Sequence, residues 1–140
     1  MSAEEFALTD AERLRILKDY RRIAVVGMSP KAERPSNFVA MYMAHHGYEI
    51  TPVNPGHAQI EGLKCYRSLR EVPQPIEIVD VFRESSAVPG VVEDAIAAGA
   101  KVLWLQIGVV HLEAARRAKD AGLTVVMDRC IKVDHARLMR

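Results

Sequence analysis

No run of apolar residues in the chain approaches the roughly 20 needed to cross a bilayer as a helix. The first residues, Met1-Ser2-Ala3-Glu4-Glu5-Phe6, carry neither a basic leader nor an apolar signal core. Both absences point to a cytoplasmic protein with no membrane partner. Cysteine is scarce: Cys65 and Cys130 stand far apart, without the C-x-x-C spacing of a metal or redox site. Reduced packing thiols and no bound metal are expected. An excess of either charge is also missing, since 19 Lys and Arg stand against 18 Asp and Glu for a formal net charge of +1. That removes the electrostatic reason to expect a nucleic-acid partner. Finally, no glycine follows Gly27 until Gly47, in a segment where a dinucleotide-binding corner would read G-x-G-x-x-G. The gap weighs against a standard NAD site.

What is present suits an ordinary globular domain. With 140 residues, 49% of them hydrophobic, the chain can bury one sizeable core, and no Pro/Gly/Ser-rich linker divides it. One domain over residues 1–140 is expected, with residues 1–20 as a peripheral helical piece. Thr9-x-x-Glu12 has the spacing of a capping box, which predicts a helix from Asp10 to Asp19.

From there a pattern of helix, glycine and apolar strand recurs. Phe38, Met41, Tyr42 and His45 mark one face of a helix that His46-Gly47 closes before a strand at 48–53. A second helix at 91–98 ends at Gly99 before a strand at 101–105, and a third at 111–121 ends at Gly122 before a strand at 124–127. Ile23 to Gly27 and Ile76 to Phe82 supply two more strands, with a short one at 63–66 and a helical turn at Ser68-x-x-Glu71. Alternating strands and helices predict an α/β fold: a doubly wound, mainly parallel sheet with helices on both faces.

In such a sheet, ligands bind beyond the carboxyl ends of the strands. Five loops should meet there, of which the most informative runs from Gly27 through Met28-Ser29-Pro30-Lys31-Ala32-Glu33-Arg34-Pro35 into a helix. Gly27 allows close backbone approach to a phosphate, Ser29 and Ser36 offer hydroxyls, and Lys31 or Arg34 can neutralise its charge. Taken singly, Ser36 also reads as a helix cap, and the two cations as solvated loop charges. The turn Thr51-Pro52-Val53-Asn54-Pro55-Gly56 serves equally as an adenine grip or a strand terminator. Phe82-Arg83 is either a ligand wall or core. His45, His46 and His111 form no evident triad, and Asp80 and Asp128 read as hydrogen-bonding rather than catalytic carboxylates. Cys130 is favoured as a packing thiol over a nucleophile.

A resemblance narrows these alternatives. Val25-Val26-Gly27-Met28-Ser29, Pro52-Val53-Asn54-Pro55, Val79-Asp80-Val81-Phe82-Arg83, Ala98-Gly99-Ala100-Lys101, Leu103-Trp104-Leu105-Gln106 and the 121–130 segment ending Met127-Asp128-Arg129-Cys130 occur in that order. Together they resemble the stand-alone CoA-binding domain family, similar to the CoA-binding domain of the succinyl-CoA synthetase α subunit. The resemblance spans about residues 23–132 and implies a Rossmann-like fold holding CoA along its carboxyl edge. It places Gly27, Met28, Ser29, Lys31 and Arg34 beside the CoA phosphates, with Pro30, Pro35 and Ser36 in the same binding loop. It sets Val53, Asn54 and Pro55 beside the adenosine, and Phe82, Arg83, Gln106 and Ile107 along the pantetheine path. The loop departs from the synthetase pattern, being stiffer and more charged at Pro30, Lys31, Glu33 and Pro35, and His57 stands near where the synthetase has a lysine. The phosphohistidine and nucleotide-grasp domains of those ligases have no counterpart here, so the expected role is non-catalytic binding of CoA or a small acyl-CoA. A homodimer or an acyl-CoA enzyme would be the protein partner. The alternatives are a small NAD(P)-binding oxidoreductase-like protein and an interaction protein with a vestigial site.

Overall fold

The computed structural model describes residues 2–140. Helix α1 (Asp10–Asp19) begins with the expected capping box: Thr9 accepts the Glu12 N–H, and the Glu12 carboxylate accepts the Thr9 N–H. Strand β1 (Arg22–Val26) follows, then α2 (Pro35–His45) and β2 (Glu49–Val53). A two-residue-per-strand hairpin, β3 (Gln59–Ile60) with β4 (Leu63–Lys64), comes next. Its tight turn is made by Glu61 and Gly62, both at positive φ, as a twist-compatible two-residue hairpin requires. The chain continues through a 3₁₀ turn at Leu69–Glu71 to β5 (Ile78–Val81), α3 (Val88–Ala97), β6 (Val102–Leu105), α4 (Leu112–Asp120), β7 (Thr124–Val126) and α5 (Ile131–Leu138).

The main sheet is wholly parallel, in the order β2-β1-β5-β6-β7. This is the doubly wound α/β, Rossmann-like arrangement the helix–strand alternation predicts. Strands β5 and β6 are buried at every position, because helices cover both sides of the sheet. Alternate residues feed two cores. Ala24, Val26, Val79, Val81, Leu103 and Leu105 face α3 and α4, whose Val92, Ala95, Ala115 and Ala118 are fully buried. Ile23, Val25, Ile78, Val102 and Trp104 face the other way, with Leu17, Val39, Met43 and Ile131 packed on them. Small alanines on the first side let α3 and α4 pack closely against each other.

Two elements differ from the sequence expectation. Helix α2 buries Ser36, Asn37, Val39, Ala40 and Met43, whereas Phe38, on the face predicted from hydropathy, is 42% exposed. The polar residues go inward because the preceding loop supplies them with hydrogen-bond partners. Helix α5 has no counterpart in the sequence reading. Its buried positions are Ile131, Asp134 and His135, so the helical spacing is present but two of its three inward residues are polar. Those residues are held by partners from the loop before α5 and from helices α1 and α2. Arg129 donates twice to Asp134, at 2.9 and 2.8 Å, and the buried Arg13 of α1 places its Nε 3.1 Å from the same carboxylate. Burial works to raise the Asp134 carboxyl, but Arg129, with Arg13 and Arg137, overcomes it and holds the group below the ordinary carboxylate range. The His135 Nδ1 pairs with the Tyr42 hydroxyl of α2 at 2.9 Å.

The β1 and β5 ends come unusually close. Gly27, at φ +85°, stands where a Cβ would lie 2.7 Å from the Phe82 carbonyl oxygen and 3.0 Å from the Arg83 Cδ. Gly62 has a similar φ of +73° but no atom within 4 Å of its Cβ position. Gly62→Ala therefore carries backbone strain alone, about 1–2 kcal/mol, while Gly27→Ala adds a clash with backbone. Denaturant midpoints of the two variants should differ, with Gly27→Ala the less stable by about 1 kcal/mol or more. Equal losses would show that the strand ends separate at no cost.

Candidate functional site

The strand order reverses between β1 and β5, since the chain leaves β1 toward β2 on one side and leaves β5 toward β6 on the other. A crevice forms at such a point because the two following loops diverge. The ladder runs to its lip: Gly27 N–H donates to Val53 O and Phe82 N–H donates to Val26 O, both at 2.9 Å.

Beyond that lip the loop is fixed by its own polar groups. Ser29 N–H donates to Ser36 Oγ at 2.9 Å, Lys31 N–H donates to Ser29 Oγ at 3.1 Å, and Asn37 Nδ2 donates to Ser29 O at 2.9 Å. Ser36 therefore does not cap α2. It sits inside the first turn and anchors the loop, while Arg34 occupies the N-cap position with no side-chain cap bond. Asn54 Nδ2 donates to Met28 O at 3.0 Å and its Oδ1 accepts Gly56 N–H at the same distance, so one side chain couples the loop to the proline turn.

Two cavities open on either side of the Gly27–Phe82 contact. The larger, about 730 Å³, brings together Gly27, Ser29, Lys31, Arg34, Pro35, Ser36, Phe82, Arg83, Gln106 and Ile107 from the sequence-predicted set. Phe38, Val39, Val109 and Cys130 complete its wall. The smaller, about 370 Å³, is bordered by Val53, Asn54 and Pro55, and shares Gly27, Phe82 and Arg83 with the first. Met28 and Pro30 line neither: Met28 is fully buried in the core and offers only its backbone, and Pro30 stands exposed at the loop's tip. Arg67 and Ser68 of the smaller cavity escaped the sequence reading. Their signal lay in the strand expected at 63–66, because Tyr66 bridges to Val53 and so delivers the next two residues beside Asn54.

The charges differ in how far they are committed. Arg83 donates to Glu84 at 3.0 and 3.4 Å, and this hydrogen bonding holds the Glu84 carboxyl below its usual range. Lys31 and Arg34 have no side-chain hydrogen bond or ion pair among the described residues. Cys130, expected as a packing thiol, is only half-buried; it packs on the core at one edge and lines the larger cavity at the other. Cys65 is buried, and burial pushes its thiol up. Asp128 accepts the Gly108 N–H at 2.7 Å, a structural role as expected.

Beneath the larger cavity, Gln106 Nε2 donates to the buried Asp80 at 2.6 Å. That bond uses one of the two amide N–H donors, which leaves the second N–H and the carbonyl oxygen of Gln106 for other partners. Burial pushes the Asp80 carboxyl up to about 7, against the opposing pull of the Gln106 bond. Between the unfolded value of 3.8 and about 7 the native state keeps a proton that the unfolded chain has lost. Stability must then fall as pH rises across that window and level off above it, by at most about 1.4 kcal/mol per pH unit from this group. Asp80→Asn should remove that slope, read as unfolding free energies of both proteins between pH 4 and 8. Parallel pH profiles would refute the shifted Asp80.

Comparison with known proteins identifies the family and supports the fold. Residues 21–136 match the family described as CoA binding domain. The uncharacterized protein YneT of Bacillus subtilis is 48% identical over 126 residues, covering 90% of this chain and 93% of that protein. A hypothetical protein from Pyrococcus horikoshii superposes with a TM-score of 0.93 at 43% identity, covering 96% of this chain and 94% of that one. Acetyl-coenzyme A synthetase 1 of Ca. Korarchaeum cryptofilum matches with a TM-score of 0.71 at 28% identity; 80% of this chain is covered but only 26% of the synthetase. The likeness thus extends both to proteins of the same size and to one region of a larger CoA enzyme, and this chain belongs to the CoA binding domain family.

Proposed function

We propose that this chain binds CoA or a small acyl-CoA at the β1–β5 crevice and performs no chemistry on it. The observation that carries the reading is the mixed lining of the larger cavity. Two uncommitted cations, Lys31 and Arg34, stand beside the start of α2. Phe38, Val39, Ile107 and Val109 supply apolar wall, with Gln106 as a polar exception. A diphosphate suits the cations, the guanidinium above all. The pantetheine arm suits the apolar wall, which accepts its methylenes, while a side-chain amide can pair with one of its amide groups.

The non-catalytic reading draws on what surrounds the cavity. None of the five histidines lines either cavity, and Cys130 has no base within hydrogen-bond reach among the described residues. An activated nucleophile requires such a partner. An NAD reading is disfavoured because Asn54, rather than an acidic residue, follows β2, and its side chain is already spent on Met28 and Gly56.

Isothermal titration calorimetry of the purified chain with CoA should give a saturable heat. Arg34→Ala should weaken binding by about 1–3 kcal/mol if its guanidinium meets a phosphate. No heat and no thermal shift at millimolar CoA would overturn the proposal, and saturable NADH fluorescence in the same concentration range would favour the oxidoreductase-like alternative.

A further inference from the structure

The arginines of this protein are nearly all committed. Arg13, Arg22, Arg70, Arg117, Arg129 and Arg137 each lie against a carboxylate, as do Arg15, Arg83 and Arg116, and Arg21 donates to backbone carbonyls. Among the described residues only Arg34, Arg67 and Arg140 have no side-chain hydrogen bond, ion pair or ring contact. Arg140 is the last residue of the chain. The other two line cavities, and not the same one: Arg34 the larger and Arg67 the smaller.

This separation constrains the ligand. The Gly27–Phe82 contact divides the two cavities, and Arg83, which reaches both, is neutralised by Glu84. The carboxylate that borders the smaller cavity, Asp94, is likewise neutralised, by Arg70 at 2.6 Å. A ligand bridging the crevice would therefore meet one uncommitted guanidinium on each side. It should carry two anionic groups separated by a less polar body. A dinucleotide such as NAD has its charge in a single diphosphate. CoA has a diphosphate and, across the ribose, a 3′-phosphate.

We infer that Arg67, at the mouth of the smaller cavity beside Asn54 and Ser68, reads the ribose 3′-phosphate and makes this site selective for CoA over 3′-dephospho-CoA. The inference rests on the CoA reading above. It assigns the larger cavity to diphosphate and pantetheine and the smaller one to the phosphorylated adenosine. Ser68, half-buried in the same wall, adds a hydroxyl donor. Its own residue order explains the placement: Tyr66 N–H donates to Pro52 O at 3.1 Å and Asn54 N–H donates to Tyr66 O at 2.8 Å, so Arg67 is pinned to the end of β2 by main-chain bonds rather than left on a free loop.

Calorimetric titrations of CoA and 3′-dephospho-CoA into the unaltered protein, Arg67→Gln and Arg34→Gln test it, with thermal melts of each variant to establish folding. The unaltered protein should bind CoA about tenfold or more tightly than dephospho-CoA, the loss expected for one charge-assisted phosphate contact. Arg67→Gln should lower CoA affinity to the dephospho-CoA level and leave dephospho-CoA affinity unchanged, while Arg34→Gln should weaken both. Equal binding of the two ligands by the unaltered protein, or a preference for CoA that survives Arg67→Gln, would overturn the assignment while leaving CoA binding intact. Loss of both ligands alike in Arg67→Gln would also overturn it. Failure of the unaltered protein to bind either would remove the CoA reading itself.

Discussion

A single missing methyl group governs the geometry of the crevice. The chain must turn out of β1 within van der Waals reach of the Phe82 carbonyl and the Arg83 stem, and only a residue without a side chain can do so at φ +85°. Everything above the sheet is arranged around that contact. It brings the ends of β1 and β5 together as a wall, and the loops that diverge from the wall leave space on both sides. The Ser29–Ser36 and Asn54–Met28 bonds then hold those loops open in one shape. The site is consequently built from backbone held by buried polar groups, a construction in which little reordering need accompany ligand entry.

Polar contacts also secure the far side of the molecule. Helix α5 is joined to α1 through Asp134 with Arg13 and to α2 through His135 with Tyr42. Removing one partner from a buried charged pair leaves the other unsatisfied, which costs more than the pair contributes. The helices that border the larger cavity, α2 directly and α5 through Cys130, are thereby fixed to an N-terminal helix.

The strands and the helix-ending glycines were legible because parallel strands buried on both faces read as unbroken apolar runs. Gly47, Gly99 and Gly122 all have positive φ immediately after their helices. Helix α5 was hidden because Asp134 and His135 look like surface residues until Arg13 and Tyr42 are brought to them from elsewhere in the sequence. The inward face of α2 was misread for the same reason: Ser36 and Asn37 are buried by virtue of Ser29, which hydropathy does not register. In the candidate site, the loop from Gly27 to Ser36 and the turn at Val53–Pro55 could be placed from strand ends alone. Arg67 could not. It arrives through a bridge of Tyr66 to Val53 that depends on an irregular connection, and Met28, though within the motif, is buried on the same side of the sheet as Ile23 and Val25, because the positive φ of Gly27 breaks the alternation of β1 just before it.

That Tyr66 bridge has a second effect. Strand β2 is the outermost of the sheet, and an outermost strand ordinarily offers unpaired main-chain groups to another polypeptide. At its carboxyl end Tyr66 already occupies those groups on Pro52 and Asn54, and Pro52 itself has no N–H to give. Strand addition by a second chain is blocked at the end of β2 where the cavities open, so the same local pairing that positions the smaller cavity also shields it from edge-to-edge association.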